Sequence, residues 1–179
     1  MRSKDRQKIW IEAGYQMVAY QGVQMLKVEP LAQTVGVSKS SFYHHFADME
    51  VFWEALLGHH LLQVRCLADR ERSATCIFPE LIDSLMDHRL DLLFNRQLRI
   101  NRHRPDFSSV IAAADNMIGD SFILLWVKEL NLKLSPHQLQ AFFGLALEHF
   151  FLQIPAKNLT HAWLTDYFVA LKETASRFG

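Results

Sequence analysis

The stretch Leu31-Ala32-Gln33-Thr34-Val35-Gly36-Val37-Ser38-Lys39-Ser40-Ser41-Phe42-Tyr43-His44-His45-Phe46 constrains the fold of this chain more than any other. It predicts two short helices joined by a tight turn. Leu31 and Ala32 fall on the buried face of the first helix, and Val35 closes it. Gly36 stands where the chain reverses, a position that often needs φ > 0. Val37 is expected to plug the angle between the helices. Ser38 is expected to cap the second helix by accepting a hydrogen bond from an amide of its first turn. That helix then presents Lys39, Ser40, Ser41, Tyr43 and His44 outward and turns Phe42 and Phe46 inward. A short helix rich in hydrogen-bonding side chains, braced by a partner helix, suits insertion into the major groove of DNA.

Almost everything else reads as helix, and no strand pattern or repeat interrupts it. Ile9 or Trp10, Ala13, Met17 and Tyr20 share one face over residues 4–21, and Gly22 ends that helix. The next begins near Val28, where Pro30 is tolerable in a first turn. Asp48 is the expected N-cap of a longer helix, about 48–70, lined by Phe52, Trp53, Leu56, Leu57, His60, Leu61 and Val64. Residues 69–75 are polar and read as a loop. Pro79 opens a further helix that lasts until residues 102–106 break the pattern. Helices follow at about 107–130, 136–153, where Ser135-Pro136 supplies cap and N1 proline, and 159–177.

Residues 9–57 resemble the N-terminal domain of TetR-type (tetracycline-repressor-like) transcriptional regulators. The resemblance runs through Trp10, Ile11, Ala13, Gly14, Met17, Val18, Gly22, Val28, Leu31 and Ala32. It continues through Gly36-Val37-Ser38-Lys39 and Phe42-Tyr43-His44-His45-Phe46 into Glu50, Phe52 and Leu56. It covers about a third of the chain. What it implies is an all-α regulator, with a three-helix DNA-binding domain over 1–46 and a helical effector-binding and dimerisation domain over 47–179. The expected function is a cytoplasmic homodimeric repressor, released from a palindromic double-stranded DNA operator by a small-molecule effector.

By the same resemblance, Lys39, Ser40, Ser41, Tyr43 and His44 face the groove, with Ser38 at its edge and Thr34 reaching the DNA backbone. Tyr43 and His44 would touch phosphate or a thymine methyl, while His45 packs locally. The chain departs from the family at Leu26-Lys27, where a hydroxyl pair is common, and Lys27 is left to restore a phosphate contact as a point charge. It departs again at Asp48 and Met49, near where a lysine is common. Fewer phosphate contacts predict weaker, less salt-dependent binding.

The aromatic second half implies a ligand pocket around Phe107, Phe122, Trp126, Phe143 and Phe150. It also implies dimerisation through the last two helices at Phe142, Leu145, His149, Trp163, Tyr167 and Leu171. Taken one at a time, such aromatics fit a helical core better than a pocket. Lys plus Arg equals Asp plus Glu at 19 each, so attraction for DNA has to come from the modestly basic N-terminal end. Arg96, Arg99, Arg102 and Arg104 form a cluster expected on solvated helix surface.

Cys66 and Cys76 suit neither a disulfide framework nor a zinc site, and no run approaches the roughly 20 apolar residues of a membrane span. No metal, cofactor or nucleophile–base constellation is expected, so an enzyme is disfavoured. The competing reading is a helical adaptor that uses the same hairpin to bind protein and has lost DNA binding.

Overall fold

The computed structural model describes residues 3–130, 135–155 and 159–176, and every regular element among them is helical. Nine α-helices are described: α1 Ser3–Gln21, α2 Val28–Val35, α3 Lys39–Tyr43, α4 Met49–Ser73, α5 Ile82–Asp87, α6 Arg89–Ile100, α7 Pro105–Leu130, α8 Pro136–Gln153 and α9 His161–Ser176. Among the described residues no helix is long and apolar enough to cross a membrane.

Local chemistry explains most of the boundaries. Gly22 takes φ +94° and stops α1. Asp48 caps α4, its Oδ1 accepting from the Val51 N–H at 2.9 Å. Ser135 and Gln138 form a reciprocal capping box ahead of α8. Thr160 Oγ1 accepts from the Trp163 N–H at 3.2 Å and sets the start of α9.

Three expectations need correction. Residues 69–73 are not a loop; α4 runs on to Ser73 because Leu67, Ala68 and Glu71 keep facing inward. The helix opened near Pro79 is not continuous. A wide turn over Ile77–Leu81 leads into α5, and the run breaks at His88 (φ −99°, ψ 20°), whose Nδ1 reaches Asp91 Oδ2 at 2.8 Å. On α1 the buried face carries Trp10, Gly14, Met17 and Val18, with Tyr15 and Ala19 also buried, while Tyr20 is exposed.

Helices α1–α3 pack around Phe42, which is fully buried. Trp10 (5.5 Å), Phe46 (5.3 Å) and Phe52 (5.4 Å) surround its ring, the first and last edge-on. Aromatic pairs in such geometry add about 0.5–1.5 kcal/mol each beyond area burial. Phe52 belongs to α4, so the three-helix head is fastened to the long helix by the same cluster. Gly14 permits the close approach: a Cβ there would lie 2.7 Å from the Phe52 ring. Helix α4 then runs alongside α7, and α1 lies against α6.

Candidate nucleic-acid interface

The turn between α2 and α3 is built by hydrogen bonding as much as by packing. Gly36 adopts φ +76°, its N–H donates to Gln33 O (3.1 Å), and the Val37 N–H donates to Ala32 O (3.0 Å). That pair of bonds is a Schellman ending, which satisfies carbonyls the helix would otherwise leave open. Val37 does not plug the interhelical angle. The left-handed step turns it outward, 43% exposed, and Phe42 fills the space instead.

Helix α3 is held from behind by Phe42 and leaves Ser38, Lys39, Ser40 and His44 exposed, with Tyr43 at 57%. Ser38 stands at the N-cap position but makes no capping bond; its hydroxyl pairs with that of Ser40 at 2.8 Å. Ser41 is half-buried. Lys39 Nζ lies 2.9 Å from Glu29 Oε2, with both side chains more than half exposed. Such a pair is worth about 0–1 kcal/mol, so Lys39 can exchange it for a phosphate or a guanine edge. Thr34 Oγ1 donates to Pro30 O at 2.9 Å, which leaves its lone pairs outward. Lys27 is exposed at the N-cap position of α2 and makes no capping bond. His45 packs on Phe46 (6.5 Å between rings).

Behind this face lies a buried polar chain that sequence reasoning missed. Tyr15 of α1 stacks on Phe94 (4.0 Å) and donates its hydroxyl to Asp91 Oδ1 at 2.9 Å. With that proton committed, the Tyr15 oxygen accepts from His60 Nδ1 at 2.7 Å. His60 Nε2 is then the acceptor for the Asn95 amide at 3.2 Å. Burial drives the His60 pKa down to about 3, so the ring is neutral, as this pattern requires. Asn95 Oδ1 accepts from Arg99 Nε at 3.0 Å, and Arg99 forks to Asp115 of α7 and Glu148 of α8. The network links the three-helix head to four helices of the body.

Arg99 therefore is not the solvated side chain expected of it. It is buried with its guanidinium over Phe151 (4.5 Å), because Asn95, Asp115 and Glu148 converge on its donors. Arg104 covers Phe107 at 4.1 Å and pairs with Asp106. Arg96 is half-buried, and only Arg102 is mainly in solvent, 3.4 Å from Glu148. The available signal was the polar row Asp91, Asn95, Arg99, spaced four residues apart beside a row of leucines.

Between α4 and α9 the body holds a partly open cavity of about 30 Å³. Phe143 and Phe150 line it, with Leu67, Leu85 and Ile118. Phe107 does not; it is fully buried against Trp53 (5.0 Å) near the head. The side chains of Phe122 and Trp126 lie outside the described residues. A second, open groove of about 500 Å³ follows the outer face of α8 and α9 and is lined by Phe142, Leu145, His149, Tyr167 and Leu171. Trp163 stacks on Tyr167 (5.4 Å) beside it.

Residues 11–56 match the family model for bacterial regulatory proteins, tetR family. No curated protein matches the chain. Among solved structures, the fold resembles that of a TetR-family transcriptional regulator from Streptomyces coelicolor (TM-score 0.61, 16% identity, 100% of this chain and 85% of that one). It also resembles a Mesorhizobium loti protein assigned to the same family (TM-score 0.62, 19% identity, 97% and 96%). A third such structure comes from Rhodococcus sp. (TM-score 0.58, 16% identity, 97% and 99%). At these identities the likeness is one of fold.

Proposed function

We propose, starting from the match of residues 11–56 to the family model for bacterial regulatory proteins, tetR family, that this chain is a homodimeric repressor released from a palindromic operator by a small molecule. The observation that carries the DNA-binding part is the α3 face. Lys39, Ser40, Tyr43 and His44 stand exposed on a helix whose other side is locked by Phe42. Ser38, Thr34 and Lys27 flank it, and Ser41 is at its edge. Lys39 and the serines suit base edges or phosphate, and Tyr43 and His44 suit phosphate or a thymine methyl.

Support for a dimer comes from the α8–α9 face. Leu145 is 73% exposed and Leu152 and Val169 are also exposed, and a groove flanked by such side chains is a poor surface to leave in water. Pairing two copies there, each helix pair against its mate, gives an isologous four-helix interface. Two heads about 34–36 Å apart would then meet successive major grooves. Ala146, Tyr167 and Leu171 line both the groove and the internal cavity, so a molecule entering the body presses on the dimer contact. The cavity has room for about one or two waters. A larger effector binds only a widened conformer, and that differential affinity shifts the heads off their spacing.

Selection of genomic DNA fragments with the purified protein tests this reading, with Tyr43→Ala and Lys39→Ala alongside. Enrichment of a palindrome that both variants lose is expected. The adaptor reading draws on the Glu29–Lys39 pair, which places a carboxylate on the DNA-facing surface. Absence of enrichment at low salt would make it the better one.

A further inference from the structure

One acidic side chain borders the otherwise apolar cavity. Glu71, near the C-terminal end of α4, is 3% exposed, and its Oε2 has no hydrogen-bond partner. Asp91, the other buried carboxylate among the described residues, is met by both Tyr15 and His88. A buried carboxyl oxygen left without a donor is costly, and a leucine or methionine would fill the same volume without that cost. No Lys, Arg or His is among the described lining residues. Tyr167, which also lines the space, is engaged elsewhere by Ala146 O (3.3 Å) and His149 (3.0 Å).

We infer that Glu71 is the recognition group of the effector site, and that the effector class is an apolar molecule carrying one protonated amine. The ammonium N–H donors would meet the Glu71 carboxylate, while the hydrocarbon lies along Leu67, Leu85, Ile118 and Phe150. This rests on the effector reading above and narrows it to a chemical class. An anion would find no counter-charge there, and a neutral chain would leave Oε2 as unpartnered as before.

Burial favours the protonated form of Glu71. Burial pushes the Glu71 carboxyl up to about 8, and Arg72 on the same helix pulls it back only slightly. Among its ionisable surroundings, Tyr167 of α9 is itself pushed up to about 12 by burial. Further out, Asp87 of α5 is held by Arg70, and Glu129 of α7 by Lys172 of α9. The exchange balances as Glu71–COOH plus an alkylammonium going to a carboxylate–ammonium pair plus one released proton. Amine affinity therefore rises with pH up to about 8 and levels off above it.

Calorimetric titration of the full-length protein with hexylamine, 1-hexanol and hexanoate, at pH 6, 7 and 8 in two buffers of different ionisation enthalpy, tests the assignment. Hexylamine is expected to bind best, to tighten about tenfold from pH 6 to pH 7, and to release close to one proton per site at pH 6. In Glu71→Gln and Glu71→Met the pH trend and the proton release vanish, hexylamine weakens at least tenfold, and hexanol is unaffected or tighter. Circular dichroism confirms that at least one variant is folded. Hexanol or hexanoate binding as tightly as hexylamine would overturn the amine class while leaving an effector site standing. If none of the three binds at millimolar concentration, the effector reading itself fails, and this inference with it.

Discussion

Replacing Tyr15 by phenylalanine deletes one oxygen and leaves the ring where it is. The stack on Phe94 and the edge contact with His59 (4.9 Å) survive, so apolar burial is unchanged. What goes are the donor to Asp91 and the acceptor for His60. Asp91 keeps His88, but the His60 Nδ1–H is left unmet in a fully buried ring. An unsatisfied buried group costs about 1–3 kcal/mol, with hydrogen bonds to charged groups at the upper end. The expected loss is therefore about 2–4 kcal/mol. For a chain of this size each kcal/mol lowers Tm by roughly 2–4 °C, giving a drop of roughly 5–15 °C. Urea unfolding followed by circular dichroism, at one fixed protein concentration because an oligomer's stability depends on it, measures the difference. A cycle with Asp91→Asn should show the two changes failing to add by about 1 kcal/mol or more. A Tyr15→Phe protein within about 0.5 kcal/mol of wild type would refute the claim that this hydroxyl satisfies the network.

Gly14→Ala should cost about 1–3 kcal/mol, since its methyl would meet the Phe52 ring at 2.7 Å; Phe52→Leu, tested in the same unfolding assay, should recover part of that loss. Two opposed linkages shape the pH dependence of stability. The His60 contribution is present above about 6.5 and is lost as pH falls toward 3; the Glu71 contribution is present below about 4.5 and is lost as pH rises through 8. Wild-type stability should thus be nearly level from pH 5 to 6.5 and fall from 6.5 to 8. Glu71→Gln should convert the level region to a rise of about 1.4 kcal/mol per pH unit. Leu145→Glu should shift the protein toward monomer in sedimentation and abolish operator binding without unfolding it; retained dimers would move the interface elsewhere.

The helix-turn-helix was legible because its instructions are local. Gly36, the aromatic spacing of Phe42 and Phe46, and the Asp48 cap each act within a turn or two of themselves. The helical body followed from periodicity, whereas the choice of Phe142, Leu145 and His149 as an outward row came from the family resemblance. Tyr15 and His60 were not legible as a pair because what joins them is a contact between helices 45 residues apart. Arg99 looked like surface for the same reason: its partners Asp115 and Glu148 come from other helices. Glu71 stood in a charged run, Asp69 to Arg72, that reads as solvent-facing. That one residue comes inside only because side chains from α5 to α9 gather round the space it lines.

Helix α4 has 25 residues, a rod of about 37 Å at 1.5 Å per residue. His60 stands midway along it, between the cap at Asp48 beside the three-helix head and the carboxyl at Glu71 beside the cavity. A rigid rod that turned about its centre would act as a seesaw. Tilting it by about 5° lifts either end by roughly 1.5 Å, and in opposite directions. Two such rods in a dimer would change the distance between heads by twice that, and pushing outward at the Glu71 end would draw the Asp48 end inward. The stiffness of the fulcrum, set by the bonds His60 makes to Tyr15 and Asn95, then decides how much of the push at one end arrives at the other.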